Sequence, residues 1–159
     1  MPGARILLVE DDAVLCELLL RNLEIRGHEV RIAEDAQTAL AHIRTTPFDL
    51  IILDICLPDQ TGWELLRAAQ KEGRLPPLQR NGQAGQVPVV VLSAVRVSPR
   101  RLQEFRPLAY LPKPFPMEAI LRLAAEAASR RNGEVIFEQR DEEIEGSHVT
   151  LPCEEDLYA

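Results

Sequence analysis

Short apolar runs alternate with segments of helical periodicity along most of the chain. Three of the runs, ILLV, LIIL and VPVVVL, are apolar at nearly every position, as expected of strands that are buried on both faces. Strands that alternate with helices predict a parallel sheet covered by helices on both sides. Five strands are predicted, at residues 5–9, 29–33, 50–53, 87–92 and 109–111.

Five helices are predicted between and after these strands, at about residues 13–26, 36–45, 62–72, 98–105 and 116–130. Residues typical of helix ends support these bounds. Gly27 follows the first helix, Asp35 can cap the second, and Ser98 followed by Pro99 has the form of an N-cap and a first helical residue. The expected fold is α/β, a doubly wound, flavodoxin-like parallel sheet with strand order 2-1-3-4-5.

Two segments lack the pattern of a packed element. Residues 73–86 combine glycines, two prolines and polar residues, which predicts a long loop. Residues 132–159 hold nine acidic side chains against one arginine, with too few apolar residues for a second core. We therefore expect one domain over residues 1–131 and an acidic, solvated and mobile tail over residues 132–159, with a regulatory role for that tail as the alternative.

Charge and cysteine content narrow the classes of function. The tail contributes −8 to the net charge of −7, so residues 1–131 carry about +1 and lack the basic stripe that nucleic-acid binding requires. No stretch approaches the roughly 20 apolar residues of a membrane span, and no signal peptide is recognised. The cysteines are far apart and without CxxC spacing, which favours reduced thiols over a disulfide or zinc site and predicts a cytoplasmic protein. They are Cys16, Cys56 and Cys153.

Side chains that can carry chemistry follow four of the predicted strands. They are Glu10, Asp11 and Asp12 after the first strand, Asp54 after the third, Ser93 after the fourth and Lys113 after the fifth. Ligands of an open parallel sheet bind outside the carboxyl ends of its strands, so these side chains are expected to meet in one shallow pocket.

The acids of this pocket predict a magnesium site. Clustered carboxylates repel one another, and a hard cation such as Mg²⁺, which prefers oxygen ligands, relieves the repulsion. We predict Asp11 and Asp54 as direct ligands, Glu10 as a ligand through a metal-bound water, and the backbone carbonyl of Cys56 as a further ligand. No organic cofactor is predicted.

Asp54 is also the predicted nucleophile. A carboxylate can attack phosphorus to form an acyl phosphate when a metal neutralises the charge on the phosphoryl oxygens. Lys113 would pair with one phosphoryl oxygen, and the hydroxyl of Ser93 would donate to another.

Each of these residues also has an ordinary structural explanation. Asp12 and the acids before it suit the N-terminus of the first helix. Asp54 could cap a loop. However, burying a carboxylate at the end of a buried strand costs free energy, which favours a functional role for Asp54. Taken alone, Ser93 would be a satisfied hydroxyl and Lys113 a surface lysine, so their roles depend on that of Asp54.

Four motifs of this chain occur together in the order of a known family. They are LLVEDD at 7–12, LIILDICLPDQTGWELL at 50–66, VVVLSA at 89–94 and YLPKPF at 110–115. With these motifs the chain resembles the receiver domains of two-component response regulators, the CheY-like superfamily, over about residues 4–130. The resemblance implies a phosphoprotein of phosphorelay signalling, a regulator that carries out only its own phosphorylation and dephosphorylation.

The resemblance also assigns roles. It places the acid pair at Glu10 and Asp11, the phosphoacceptor at Asp54, and the hydroxyl and lysine positions of the family at Ser93 and Lys113. It implies a cis peptide bond between Lys113 and Pro114. The implied phosphodonor is a histidine kinase or phosphotransfer protein, and the implied output is a surface that binds a downstream protein target, whose identity the sequence does not give.

The family's switch residue corresponds to Tyr110, an aromatic three residues before the lysine. The resemblance implies that this ring moves inward when Ser93 is drawn to the phosphoryl group; the alternative is a static, half-buried aromatic. The chain between Ser93 and Tyr110 is shorter than the family usually shows, which predicts a short fourth helix. We therefore make no prediction of pairing through the fourth helix, fifth strand and fifth helix.

Three other functions compete with this hypothesis. A phosphatase of the dehalogenase type needs an acid two residues after its nucleophile, where this chain has Cys56. A flavodoxin needs a phosphate-binding loop of Ser, Thr and Gly after the first strand, where this chain has acids. A receiver-like scaffold that never takes a phosphoryl group stays open.

Overall fold

The computed structural model describes residues 2–74 and 87–133 as a five-stranded parallel sheet between two layers of helices. The strands are β1 (Arg5–Val9), β2 (Glu29–Ala33), β3 (Leu50–Asp54), β4 (Val89–Ser93) and β5 (Ala109–Pro112). The helices are α1 (Ala13–Ile25), α2 (Ala36–Thr45), α3 (Gly62–Lys71), α4 (Pro99–Phe105) and α5 (Met117–Arg131). The strand order β2-β1-β3-β4-β5 confirms the predicted doubly wound fold.

Successive side chains of each strand point to opposite faces of the sheet, so the core forms one cluster on each face. In β3, Ile51 and Leu53 face a cluster that includes side chains of α2, α3 and α4, whereas Leu50 and Ile52 face a cluster that includes side chains of α1 and α5. Every residue of β3 and β4 is buried, and each large apolar side chain stabilises the fold by roughly 1.5–3 kcal/mol. The central strands are therefore a rigid base for the loops that follow them.

The predicted helix caps are present. Oδ1 of Asp12 accepts the backbone N–H groups of Val14 and Leu15 at 3.0 and 3.1 Å, so the ordinary structural explanation of Asp12 is correct. The side chain of Asp35 caps α2, and that of Ser98 caps α4 directly before Pro99.

The fourth helix is short, as predicted, with seven residues. It packs on α3 through Phe105, whose ring stacks on that of Trp63 with centroids 5.1 Å apart. Arg67 of α3 lies over the same ring and pairs with Glu104 of α4 at 2.6 Å. These contacts fasten α4 to α3 at the end of the helix remote from its cap.

Several predictions concern residues outside the described ranges. Residues 75–86 of the predicted loop and residues 134–159 of the predicted tail lie there, as does Cys153, so the domain boundary at residue 131 stays a prediction. Cys16 and Cys56 are free thiols. Within residues 2–74 and 87–133, none of the helices has the length and apolar character that crossing a membrane requires.

His28 is expected to make the stability of the fold depend on pH. The residue is 7% exposed, and Nδ1 of its ring accepts the backbone N–H of Ala4 at 3.0 Å. Burial, and to a lesser extent the charge of Arg26, lower the pKa of His28 below its ordinary value of about 6.5. Below pH ~6.5 the unfolded chain therefore binds more protons than the folded one, and the free energy of unfolding falls as the pH drops toward the lowered pKa of the folded state.

Urea denaturation between about pH 5 and pH 8 measures this contribution as the difference between wild type and His28→Asn. The Oδ1 of asparagine can accept the same hydrogen bond as Nδ1, but asparagine does not titrate, so the wild type should lose more stability than the variant below pH ~6.5. Parallel pH profiles for the two proteins would contradict the assignment.

Candidate metal and phosphoacceptor site

The parallel sheet brings the predicted site residues to one edge. Val9, after which Glu10 follows, pairs with Leu53 in the register of the sheet, and Asp54 pairs with Leu92. Ser93 is the last residue of β4 and pairs with Pro112, directly before Lys113. Residues far apart in the sequence are adjacent here because each follows or ends a strand.

Three carboxylates form a cluster at this edge. Oxygen atoms of Glu10, Asp11 and Asp54 all lie within 4.8 Å of one another. Glu10 is fully buried and Asp54 is 3% exposed, whereas Asp11 is exposed. The cluster is therefore open to solvent on the side of Asp11 and enclosed by protein on the side of Glu10.

Lys113 contacts both buried acids. Its Nζ lies 2.8 Å from Oε2 of Glu10 and 3.0 Å from Oδ2 of Asp54. Burial alone would lower the pKa of Lys113, but its hydrogen bonds to the two carboxylates outweigh burial and raise the pKa above its ordinary value. The lysine therefore stays charged in this position and is not an ordinary surface residue.

One ammonium group does not neutralise the cluster. Burial raises the pKa of Glu10 to about 7; the hydrogen bond from Lys113 opposes this effect, and the neighbouring charge of Asp54 adds to it. Oε1 of Glu10 accepts the backbone N–H of Asp12 at 3.2 Å. The pKa of Glu10 is therefore raised mainly by burial, and a further cation beside Glu10 and Asp54 would favour the ionised form of both carboxylates.

The two oxygens of Asp54 have different partners. Oδ2 contacts Lys113, whereas Oδ1 accepts the backbone N–H of Cys56 at 3.0 Å. Cys56 also forms an isolated antiparallel bridge with Thr61, which closes the loop between β3 and α3. The carboxylate is thus oriented by its own loop as well as by the lysine.

Gly62 is a site-shaping residue that the sequence analysis missed. A Cβ atom there would lie 2.9 Å from the backbone oxygen of Asp54 and 3.1 Å from Cα of Ile55. Both of these atoms belong to the backbone, so a side chain would displace the strand end that carries Asp54. The signal was a glycine at the start of a predicted helix, where other residues are better helix formers.

Gly62→Ala should destabilise the protein by about 1–3 kcal/mol, as overpacking does. Chemical denaturation of the two proteins measures this difference. The sign of the change in the free energy of unfolding is the test, because Gly→Ala at an unstrained helical position stabilises a protein by about 0.4–1 kcal/mol. A more stable Gly62→Ala protein would show that the neighbouring backbone gives way without cost.

The hydroxyls of Ser93 and Tyr110 both bind Val95, which follows β4 in the loop toward α4. The Ser93 side chain, in a residue 1% exposed, donates from Oγ to the carbonyl of Val95 at 2.6 Å and accepts from its N–H at 3.0 Å. Tyr110 is half-buried, and its hydroxyl donates to the same carbonyl at 3.3 Å. The Lys113–Pro114 peptide bond is cis, as the resemblance implies.

Comparison with known proteins identifies the family of this chain. A family model described as the response regulator receiver domain matches residues 6–125. The phosphate regulon transcriptional regulatory protein PhoB of Pseudomonas aeruginosa is 35% identical over 136 residues, which cover 84% of this chain and 55% of PhoB. The chain spans 29% to 55% of the length of the curated relatives it matches.

Solved structures share the fold over most of this chain. The non-phosphorylated receiver domain of HemR from Leptospira biflexa is 31% identical with a TM-score of 0.65, and the match covers 81% of this chain and 95% of that one. The receiver domain of the sensor histidine kinase PA1611 of Pseudomonas aeruginosa has a magnesium ion coordinated in its active site cleft. It is 26% identical with a TM-score of 0.63, and the match covers 80% of this chain and 98% of that one.

Proposed function

Because the chain belongs to the family of response regulator receiver domains, we propose that Asp54 accepts a phosphoryl group in a Mg²⁺-dependent reaction. Phosphorelay signalling is the general function of this family. The observation that carries the proposal is the contact of Lys113 with Asp54 and Glu10 beside a third carboxylate, that of Asp11. This arrangement combines a nucleophile, a cation-binding cluster and a positive charge for the phosphoryl oxygens.

Charge and distance both favour a divalent cation at the cluster. Three carboxylates and one ammonium leave a net charge of −2 when all are ionised. Asp11 and Asp54 would bind Mg²⁺ directly, Glu10 would bind through a water, and the carbonyl of Cys56 would complete the protein ligands. Bound Mg²⁺ would supply neutralisation of the charge on the phosphoryl oxygens.

The residues of this chain then have separate tasks in the transfer. A carboxylate oxygen of Asp54 forms a bond to phosphorus while the bond between phosphorus and the donor breaks; with a phosphohistidine donor this is the N–P bond. The N–H of Cys56 holds Oδ1 of the acceptor in place. Lys113 moves its ammonium contact from Asp54 to a phosphoryl oxygen.

The bonds to Val95 support a switch. If the Ser93 hydroxyl turns to the phosphoryl group, its bond to the Val95 carbonyl breaks, whereas the bond from Tyr110 joins that ring to the same carbonyl. The loop between β4 and α4 would then shift, and Tyr110 would shift with it. We infer that this movement alters the surface presented to a downstream protein target.

We propose that the protein is a cytoplasmic regulator and not an enzyme that acts on a separate substrate. Its phosphodonor would be a histidine kinase or a phosphotransfer protein. Relatives such as PhoB are named as transcriptional regulatory proteins and are longer than this chain. We therefore limit to residues 1–131 our proposal that the protein binds neither nucleic acid nor membrane. The net charge of these residues is about +1.

Incubation with acetyl phosphate and Mg²⁺ tests the proposal. Intact-mass spectrometry should detect one added phosphoryl group, which hydroxylamine removes because acyl phosphates are labile. EDTA added before the donor should prevent the modification. A wild-type chain that stays unmodified where a known receiver domain is modified would instead favour the scaffold that takes no phosphoryl group.

A further inference from the structure

We propose that Asp59 is a positioning residue for the phosphoacceptor, because it fastens the loop of residues 55–61 to the first turn of α2. Its relation to phosphoryl transfer rests on the function proposed above, whereas its relation to the loop does not. Asp59 is not among the acids of the metal cluster, and its side chain points to a different helix end.

The carboxylate of Asp59 joins two loops. Oδ1 accepts the backbone N–H of Ala36 at 2.9 Å and Oδ2 accepts that of Gln37 at 3.0 Å. Oδ1 also accepts the N–H of Gln60 at 3.1 Å, within its own loop. Desolvation would raise the pKa of Asp59, but these backbone hydrogen bonds outweigh it and lower the pKa, so the carboxylate stays ionised.

The helix does not need Asp59 as its ordinary cap. Oδ1 of Asp35 accepts the N–H of Thr38 at 2.7 Å, which is the usual N-cap bond. Asp59 instead takes the two N–H groups at Ala36 and Gln37 from outside the helix. Two carboxylates therefore serve one helix end, and only one of them comes from the loop that follows the phosphoacceptor.

That loop orients Asp54. The N–H of Gly62 donates to the carbonyl of Ile55 at 2.8 Å, and Cys56 bridges to Thr61, so the loop is closed at its base. Asp59 anchors the tip of the closed loop to α2. Cys56 belongs to this loop and donates its N–H to Oδ1 of Asp54 at 3.0 Å. Movement of the loop tip would therefore change the orientation of the Asp54 carboxylate.

Asp59→Ala and Asp35→Ala form a matched pair for the test. Each removes one carboxylate from the same end of α2, so each costs stability through the same helix. Only Asp59→Ala releases the loop. Asp59→Asn keeps one acceptor oxygen and should have an intermediate effect.

Three measurements separate positioning from simple loss of stability. In the absence of Mg²⁺ and donor, amide hydrogen exchange at Cys56, followed by NMR, should become faster in Asp59→Ala by about tenfold relative to Asp35→Ala. The Mg²⁺ affinity measured by calorimetry should fall by about tenfold, at the low end of the range for lost partners of metal ligands. The initial rate of phosphorylation by acetyl phosphate should fall with it.

The exchange measurement keeps the inference independent of the proposed function. If wild type takes no phosphoryl group but Asp59→Ala still exposes the Cys56 amide, the function fails and the positioning role stands. If Asp59→Ala and Asp35→Ala change exchange and Mg²⁺ affinity equally, or change neither, Asp59 acts only as a second helix cap and the inference is wrong.

Discussion

Asp54→Asn is expected to lose phosphorylation by acetyl phosphate, by at least roughly 10³-fold, while keeping the fold. An asparagine has the shape of the aspartate but presents a neutral carboxamide, which cannot form the acyl phosphate. Its carbonyl can still accept the N–H of Cys56, the bond that Oδ1 of Asp54 makes at 3.0 Å. Intact-mass spectrometry over a time course measures the phosphorylation rates of the wild type and of Asp54→Asn with acetyl phosphate as the donor.

Asp12→Asn is the matched control for this substitution. Asp12 is an acid at the same edge of the sheet, but it caps α1 and lies outside the carboxylate cluster. Asparagine is as good an N-cap as aspartate, so this variant should be phosphorylated at nearly the wild-type rate. Phosphorylation of Asp54→Asn at the wild-type rate would show that another residue is the acceptor.

Lys113→Met should change two properties in opposite directions. Phosphorylation should slow by roughly 10²–10³-fold, as when one group that stabilises developing charge is removed. The affinity for Mg²⁺ should rise by at least about tenfold, because an ammonium 2.8 Å from Glu10 and 3.0 Å from Asp54 no longer competes with the ion. Tighter metal binding with slower chemistry separates the lysine from the metal ligands.

Calorimetric Mg²⁺ titration and initial rates of modification measure the two effects on the same samples. Lys71→Met is the control, since Lys71 is the chain's other lysine and lies exposed at the end of α3. It should leave both quantities unchanged. Weaker Mg²⁺ binding in Lys113→Met would mean that the lysine supports the metal site and does not oppose it.

The sequence contained most of the fold and the core of the site. Apolar runs of strand length predict buried parallel strands, and the ends of such strands lie at one edge by topology. The contacts of Lys113 with Glu10 and Asp54 join residues 103 and 59 positions apart, yet each of these residues follows or ends a strand. Their proximity was therefore predictable without any knowledge of side-chain conformation.

Contacts that depend on loop paths and rotamers were not predictable in this way. Asp59 bonds to Ala36 and Gln37 from a loop more than 20 residues away, and no periodicity records such a bond. The direction of the Ser93 hydroxyl toward Val95 is a choice of rotamer within a correctly predicted strand end. The roles of single side chains in the loops therefore required coordinates, whereas the arrangement of strand ends did not.

Chemical mapping of the modified residue is the decisive test of Asp54 as the phosphoacceptor. Borohydride reduces an acyl phosphate of aspartate to homoserine, so the protein treated with acetyl phosphate and Mg²⁺ is reduced, digested and sequenced by mass spectrometry. Homoserine is expected at residue 54. Homoserine at residue 11, 12 or 59, or a phosphoryl group recovered on a histidine, would contradict this expectation.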